Sequence, residues 1–178
     1  MSSIAWLDFQ LGDTSWDDVV PLEIEVYPPA VMATLPWRNV TWAHAHWRVL
    51  TRDNARRVIS HVGVFVRDAT VDGSPVRIGG IGGIMTHPGF RRKGLATAAL
   101  RYARNFLAAT ERAAFALLFC EPNTAPFYAR LDWRRFAGVV FVEQPSGRVR
   151  FTVTEPMILD LTRSAPTRGT IDLRGPPW

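Results

Sequence analysis

Two residue types are nearly missing from this sequence of 178 residues: there is one cysteine, Cys120, and one lysine, Lys93. A lone cysteine cannot close an intrachain disulfide and cannot build a cysteine-based zinc site. Long apolar runs are also missing. No stretch approaches the roughly 18 uninterrupted apolar residues of a membrane-spanning helix. The opening residues, Met1 to Trp6, have neither the basic start nor the apolar run of a secretory signal. These absences predict a cytoplasmic protein with no membrane partner. His44 and His46 stand two apart, but with one cysteine and no clustered carboxylates they predict no metal. They read as packing residues or as lining of a substrate cleft. Internal repeats and low-complexity tracts are absent as well.

What is present fits a globular chain. Hydrophobic residues make up 47% and charged residues 21%, close to the average for folded domains. A single domain over 1–178 is expected, its last residues, 163–178, forming an extended tail. The net charge is +5, carried almost entirely by arginine, which grips phosphate and carboxylate bidentately. Such a charge is compatible with nucleic acid, a membrane surface or a small anion. The arginines concentrate at one predicted helix start and in the tail rather than along one face, so no nucleic-acid partner is expected.

Trp6 to Leu11 reads as a first strand, and Asp13 or Ser15 as the cap of a helix through Trp16 to Val20. Prolines break the stretch from Tyr27 to His46, which reads as irregular with a short helix near Trp42 to His46. The period then changes to two. Trp47 to Thr51 and Arg57 to Val71 are strands, with Ile59, His61, Gly63 and Phe65 sharing one face. Asp72 to Pro75 signals a turn, and Val76 to Thr86 returns as a strand containing Gly79, Gly80, Gly82 and Gly83. So many glycines predict a bulge, or a ligand lying against the backbone. A helix follows with Leu95, Ala99, Tyr102 and Phe106 at helical spacing. Phe115 to Cys120 is a short apolar strand and Asn123 to Leu131 a second helix. Phe136 to Glu143 and Val149 to Leu161 are strands around a Pro145-Ser146-Gly147 turn. This order of elements predicts a mixed α+β sheet.

The segment Ile84-Met85-Thr86-His87-Pro88-Gly89-Phe90-Arg91-Arg92-Lys93-Gly94-Leu95-Ala96 ends a strand, turns through basic residues and opens a helix at once. A helix N-terminus carries unpaired N–H groups and partial positive charge. Three cations placed there are unfavourable until an anion neutralises them, so the loop is suited to phosphate. It fails the G-x-x-x-x-G-K-[ST] pattern of a P-loop, and no G-x-G-x-x-G spacing closes from Gly80 or Gly82. Arg91-x-x-Gly94-x-Ala96 does match [QR]-x-x-G-x-[GA].

In that motif the chain resembles the GCN5-related N-acetyltransferase (GNAT) superfamily, whose acyl-CoA signature this is. Cys120-Glu121-Pro122-Asn123-Thr124-Ala125-Pro126-Phe127-Tyr128-Ala129-Arg130-Leu131-Asp132-Trp133 is similar to the family's later segment, with an asparagine and a tyrosine on a short helix. The resemblance spans roughly residues 45 to 160. It implies a central twisted, mostly antiparallel sheet, splayed at the acyl-CoA site and flanked by helices. It also implies transfer of an acetyl or other acyl group from acetyl-CoA to an amine of a small-molecule or peptide acceptor, without a metal. Homodimers are common in the superfamily, so a homodimer is a further expectation.

The resemblance assigns the pantetheine arm to Ile84, Met85 and Thr86, and the pyrophosphate to Arg91, Arg92, Lys93, Gly94, Leu95, Ala96 and Thr97. Asn123 and Phe127 are assigned to the same cofactor. Tyr128 takes the role of general acid for the leaving thiolate, and a strand N–H near Met85 stabilises the oxyanion. Many relatives have a glutamate on the strand that here reads Gly80-Ile81-Gly82-Gly83. In its place His61, Glu121 or His87 is a candidate base, or the amine loses its proton to water. His61, Phe127-Tyr128, Trp133 and the terminal Trp178 resemble the aminoglycoside 2′-N-acetyltransferase branch. That branch would put His44, His46 and the carboxylate of Trp178 beside the acceptor, but Pro176-Pro177 stand where it has an acidic residue. A different reading keeps acyl-CoA binding and drops the chemistry, leaving a sensor or scaffold.

Overall fold

The structure, a computed structural model, describes the backbone of residues 6–11 and the whole of residues 16–178. The predicted helix cap at Asp13 or Ser15 lies outside the described residues. Strand β1 (Trp6–Leu11) pairs antiparallel with β2 (Trp47–Arg52). Between them, a 3-10 turn at Trp16–Asp18 leads into helix α1 (Val20–Val26), with proline in its first turn. Helix α2 (Pro29–Met32) follows. The helix expected near Trp42 is not formed. That segment instead lies against the tail, with the Ala43 N–H donating to the Pro177 carbonyl at 2.7 Å.

Strands β3 (Val58–Val71) and β4 (Ser74–Thr86) make a long hairpin closed at Asp72-Gly73. Both turn residues have positive φ, 47° and 82°, the conformation a two-residue hairpin turn requires. Helix α3 (Leu95–Ala109) then crosses over to β5 (Phe115–Cys120), which runs parallel to β4, as a parallel pair demands. Helix α4 (Ala125–Ala129), the short β6 (Arg134–Arg135), β7 (Val139–Gln144) and β8 (Gly147–Arg150) come next. The chain ends with β9 (Glu155–Asp160) and β10 (Thr170–Asp172). The order across the sheet is β6-β9-β5-β4-β3-β10-β7-β8, and β2 joins β3 beside β10.

The expected strand from Val149 to Leu161 is therefore two strands in opposite halves of the sheet. β8 closes a hairpin on β7, whereas β9 pairs with β5, and no single straight strand reaches both. The first of that pair also starts later than expected, at Val139.

Helix α3 covers one face of the sheet, packing Ala99, Leu100, Ala103 and Leu107 onto Val62, Val64, Ile81 and Leu118. Its buried stripe is rotated from the expected one, and Tyr102 is 42% exposed. The small residues face inward because the helix approaches a glycine strand closely. A Cβ at Gly79 would stand 2.7 Å from Leu107. The opposite face carries Phe65, Ile78, Leu117 and Phe136 under the tail, and α1 closes one end through Val19, Leu22, Leu50 and Met85.

Candidate functional site

The glycines of β4 have separate causes. Those at 80 and 82 make room for Trp178, whose indole and main chain would lie 2.3 Å and 2.6 Å from a Cβ added there. Gly83 has φ of +57°, which a β-carbon would strain. Pairing between β3 and β4 shifts here: His61 faces Met85 while Gly63 faces Gly82, so Val62 alone stands opposite both Gly83 and Ile84. This is a β-bulge, as the glycine content led one to expect. The parallel ladder to β5 covers only Gly79–Ile81 against Ala116–Leu118. Beyond it the two strands part, β4 continuing beside β3 and β5 beside β9. The predicted pantetheine residues Ile84, Met85 and Thr86 lie on the parted length of β4.

The basic loop stands at the end of that opening. A 3-10 turn at Pro88–Phe90 begins with His87, whose Nδ1 accepts from the Gly89 N–H. His87 is thus tied to its own loop. Arg92 and Gly94 both have positive φ, 61° and 78°, alternating with Arg91 and Lys93. Such alternation turns successive N–H groups toward one concavity suited to anions. Gly94 is the N-cap of α3 and provides no side-chain cap, and the first turn contains no acid. Gly94 thus offers the first-turn amides at Leu95, Ala96 and Thr97 no side-chain hydrogen bond. Arg91, Arg92 and Lys93 are exposed, and among the described residues none of them is in an ion pair. These observations fit a pyrophosphate.

At the other lip of the opening, β5 runs out through Cys120 and Glu121 into α4. Tyr128 is 7% exposed and packs between Phe127 and Trp133, at ring distances of 5.0 Å and 6.5 Å. Burial pushes its phenol above the ordinary tyrosine value, with Cys120 and then Tyr27 adding to the effect. It stays neutral throughout the physiological range. Glu121 is half-buried and Asn123 exposed. Tyr27, at the C-terminal end of α1, had no signal in the sequence beyond being an aromatic before two prolines. Burial raises its pKa, then the nearby Glu121 carboxylate raises it further, while Arg91 opposes. Tyr27 packs against the cluster that holds Leu22, Leu50 and Met85, and its ring meets Trp37 edge-on at 6.4 Å.

Residues 10–136 match the family model described as an acetyltransferase (GNAT) domain. The chain belongs to the GNAT family. A GNAT family N-acetyltransferase from Escherichia coli in complex with CoA is similar in fold, with a TM-score of 0.62 at 13% identity, covering 98% of this chain and 92% of that one. A GNAT family acetyltransferase from Brucella melitensis, in complex with acetyl-CoA, has a TM-score of 0.59 at 10% identity, covering 96% of each chain. The ribosomal-protein alanine N-acetyltransferase of Escherichia coli has a TM-score of 0.58 at 14% identity, covering 91% of this chain and 97% of that one. No curated protein matches in sequence. The mixed sheet, mostly antiparallel and parted between β4 and β5, is the GNAT fold.

Of the other predicted site residues of this GNAT chain, His44, His46 and Trp178 fall elsewhere, whereas His61 lies at the bulge. His44 and His46 are exposed. His46 accepts from the Val66 N–H at 3.1 Å, beside the part of β3 whose β4 partners are still laddered to β5. Burial, then Arg67, lowers its pKa. Trp178 is 4% exposed; its indole N–H donates to the Leu117 carbonyl at 2.9 Å and its ring stacks on Phe65. His61 is buried beneath the bulge, with Nδ1 2.6 Å from the Gly83 carbonyl oxygen. A groove of about 400 Å³ lies between α1 and the β2–β3 turn, lined by acids such as Glu25 and bases such as Arg56. Neither Met85 nor Tyr128 lines it. Among the described residues no group of three metal-ligating side chains occurs, and no helix is long and apolar enough to cross a membrane.

Proposed function

We propose that this GNAT protein transfers an acetyl or similar acyl group from acyl-CoA to a primary amine. The observation that carries the reading is one continuous feature. The β4–β5 ladder stops after Ile81 and Leu118, and the opening leads to a helix N-terminus with left-handed Arg92 and Gly94, no side-chain cap and exposed cations. Acyl-CoA supplies the acyl group as a thioester. On this reading the first-turn amides of α3, with Arg91, Arg92 and Lys93, hold the pyrophosphate, and the parted edge of β4 pairs with the pantetheine amides. A bulge N–H polarises the thioester oxygen. The amine nitrogen bonds to the acyl carbon as the carbon–sulfur bond breaks, Tyr128 gives its proton to the departing sulfur, and the surplus proton on the new amide nitrogen restores the phenol.

Glu121 suits the remaining role. It sits where β5 enters α4, its charge raises the pKa of Tyr27, and a carboxylate there would draw in an ammonium acceptor and take its proton. Tyr27 and Trp37 would form the acceptor's aromatic wall. A second reading, an acyl-CoA sensor without chemistry, is favoured by one fact: the β4 positions where many relatives carry a glutamate are glycines occupied by Trp178. On the same reading the acceptor is an amine of the aminoglycoside kind, and the enzyme works in the cytoplasm as a homodimer.

Calorimetric titration of CoA and acetyl-CoA tests the reading, with wild type beside Arg91→Ala/Arg92→Ala. Micromolar binding that the double variant loses by tenfold or more is expected. An amine-acceptor screen follows, with Tyr128→Phe as control. Binding without turnover of any amine selects the sensor, and no binding to folded protein defeats both readings.

A further inference from the structure

His61 is a buried titratable group that the scheme above leaves without a task. We infer that His61 is a positioning residue, holding the Gly83–Ile84 peptide so that the Ile84 N–H points toward the gap between β4 and β5. This rests on the acyl-transfer reading for its consequence, but not for its geometry.

The roles of both ring nitrogens follow from their neighbours. Nδ1 lies 2.6 Å from the Gly83 carbonyl oxygen, which can only accept, so Nδ1 carries the hydrogen. Nε2 lies 3.5 Å from a terminal nitrogen of Arg48, and a guanidinium can only donate, so Nε2 presents its lone pair. The neutral Nδ1–H tautomer is the one that satisfies both. The ring is held in place: it is 2% exposed, Trp16 meets it edge-on at 5.4 Å, and Arg48 lies over Trp16 at 4.6 Å. Burial, offset in part by the Gly83 hydrogen bond and reinforced by Arg48, lowers its pKa to about 4. A base with its lone pair turned to a guanidinium is poorly placed to take a proton from a substrate.

The bulge explains why the peptide needs holding. Gly83 and Ile84 stand opposite Val62 alone, so the regular ladder is interrupted there, and Gly83 is exposed. A peptide is planar and trans, so its C=O and N–H point in opposite directions. Drawing the Gly83 carbonyl onto His61 turns the Ile84 N–H away from His61. A preorganised backbone donor stabilises charge developing on a thioester oxygen without having to reorganise during the reaction. A glycine with positive φ supplies the required bend, and a buried imidazole fixes which way the peptide faces.

Two variants separate this from a role as base. In His61→Asn the side-chain amide still donates from near the Nδ1 position, while His61→Leu fills the space and donates nothing. The readouts are the nitrogen-15 shifts of the imidazole, amide hydrogen exchange at Ile84 and Met85, and kcat, KM and their pH profile with acetyl-CoA. The expectation is an Nδ1–H tautomer in the wild type, and wild-type-like exchange and kcat in His61→Asn. His61→Leu should exchange faster at Ile84 and lose roughly 100-fold in kcat, with KM for acetyl-CoA little changed and the pH profile unshifted. The inference is overturned by an Nε2–H tautomer, or by wild-type exchange in His61→Leu. It is equally overturned if both variants lose activity alike and recover it at high pH, the behaviour of a missing base. A wild type that binds no acetyl-CoA removes the acyl-transfer reading, and the tautomer and exchange data then decide the holding role alone.

Discussion

Tyr128 and His61 are both almost fully buried, and burial moves their titrations in opposite directions, the phenol up and the imidazole down. In each case the neutral form is the one that tolerates loss of water. For Tyr128 this preserves a proton to donate, and Tyr128→Phe should lower kcat by about 100-fold or more. CoA affinity measured by calorimetry should stay the same, because the ring still packs between Phe127 and Trp133. For His61 the consequence appears in stability. Its folded pKa of about 4 lies below the ordinary 6.5. Above pH 6.5 the ring is neutral in both states and adds no pH dependence. As pH falls from 6.5 to 4, the unfolded chain binds a proton that the native state refuses, so stability drops by up to about 3 kcal/mol. Denaturant unfolding at pH 7, 5.5 and 4 should show this drop in wild type, and a smaller one in His61→Asn. His46, lowered in the same direction, is present in both proteins, so their difference isolates His61.

At the scale of elements, the start of α3 gives up capping stability, and under the proposed function it gains an anion site. A left-handed Gly94 as N-cap gives up the side-chain hydrogen bond that serine or aspartate would make. Gly94→Ala places a β-carbon at φ of +78° and should cost about 1–2 kcal/mol, read by thermal unfolding, along with weaker CoA binding. This loop was legible in the sequence because its pattern is local: the spacing of Arg91, Gly94 and Ala96 and the strand before it. The buried face of α3 was less so. Tyr102 has the right spacing for the core yet faces solvent, because the helix sits so close to β4 that Ala99 and Ala103 must face inward. Periodicity identifies a helix, but its rotation depends on the surface it meets.

At the scale of the whole molecule, the tail returns to the centre of the sheet. β10 inserts between β3 and β7. Beyond it, Arg67 donates to the Pro176 carbonyl and lies 5.1 Å from the Trp178 ring. Trp178→Ala should destabilise the protein by about 3–5 kcal/mol, the cost of truncating a large buried aromatic. Chemical denaturation checks this, and calorimetry should find CoA binding retained in the folded fraction. A small loss would mean that the tail docks without supporting the core. The candidate site divides in the same way. Arg91 to Thr97 and Tyr128 enter the candidate site from motifs, whereas Tyr27 joins it only because α1 packs with Met85 and Leu50.

The sequence by itself determined the α+β class, most strand positions, a turn after Val71 and the basic loop before α3, because each is written in residues adjacent along the chain; the turn is tighter than the expected Asp72 to Pro75, since the return strand already begins at Ser74. Only the tertiary structure decided that 149–161 serves two ends of the sheet, and that two β4 glycines make room for Trp178. The place of His61 beneath the Gly83 carbonyl was settled there too. Those features depend on contacts between residues far apart in sequence, made by burial and hydrogen bonding rather than by local conformational preference.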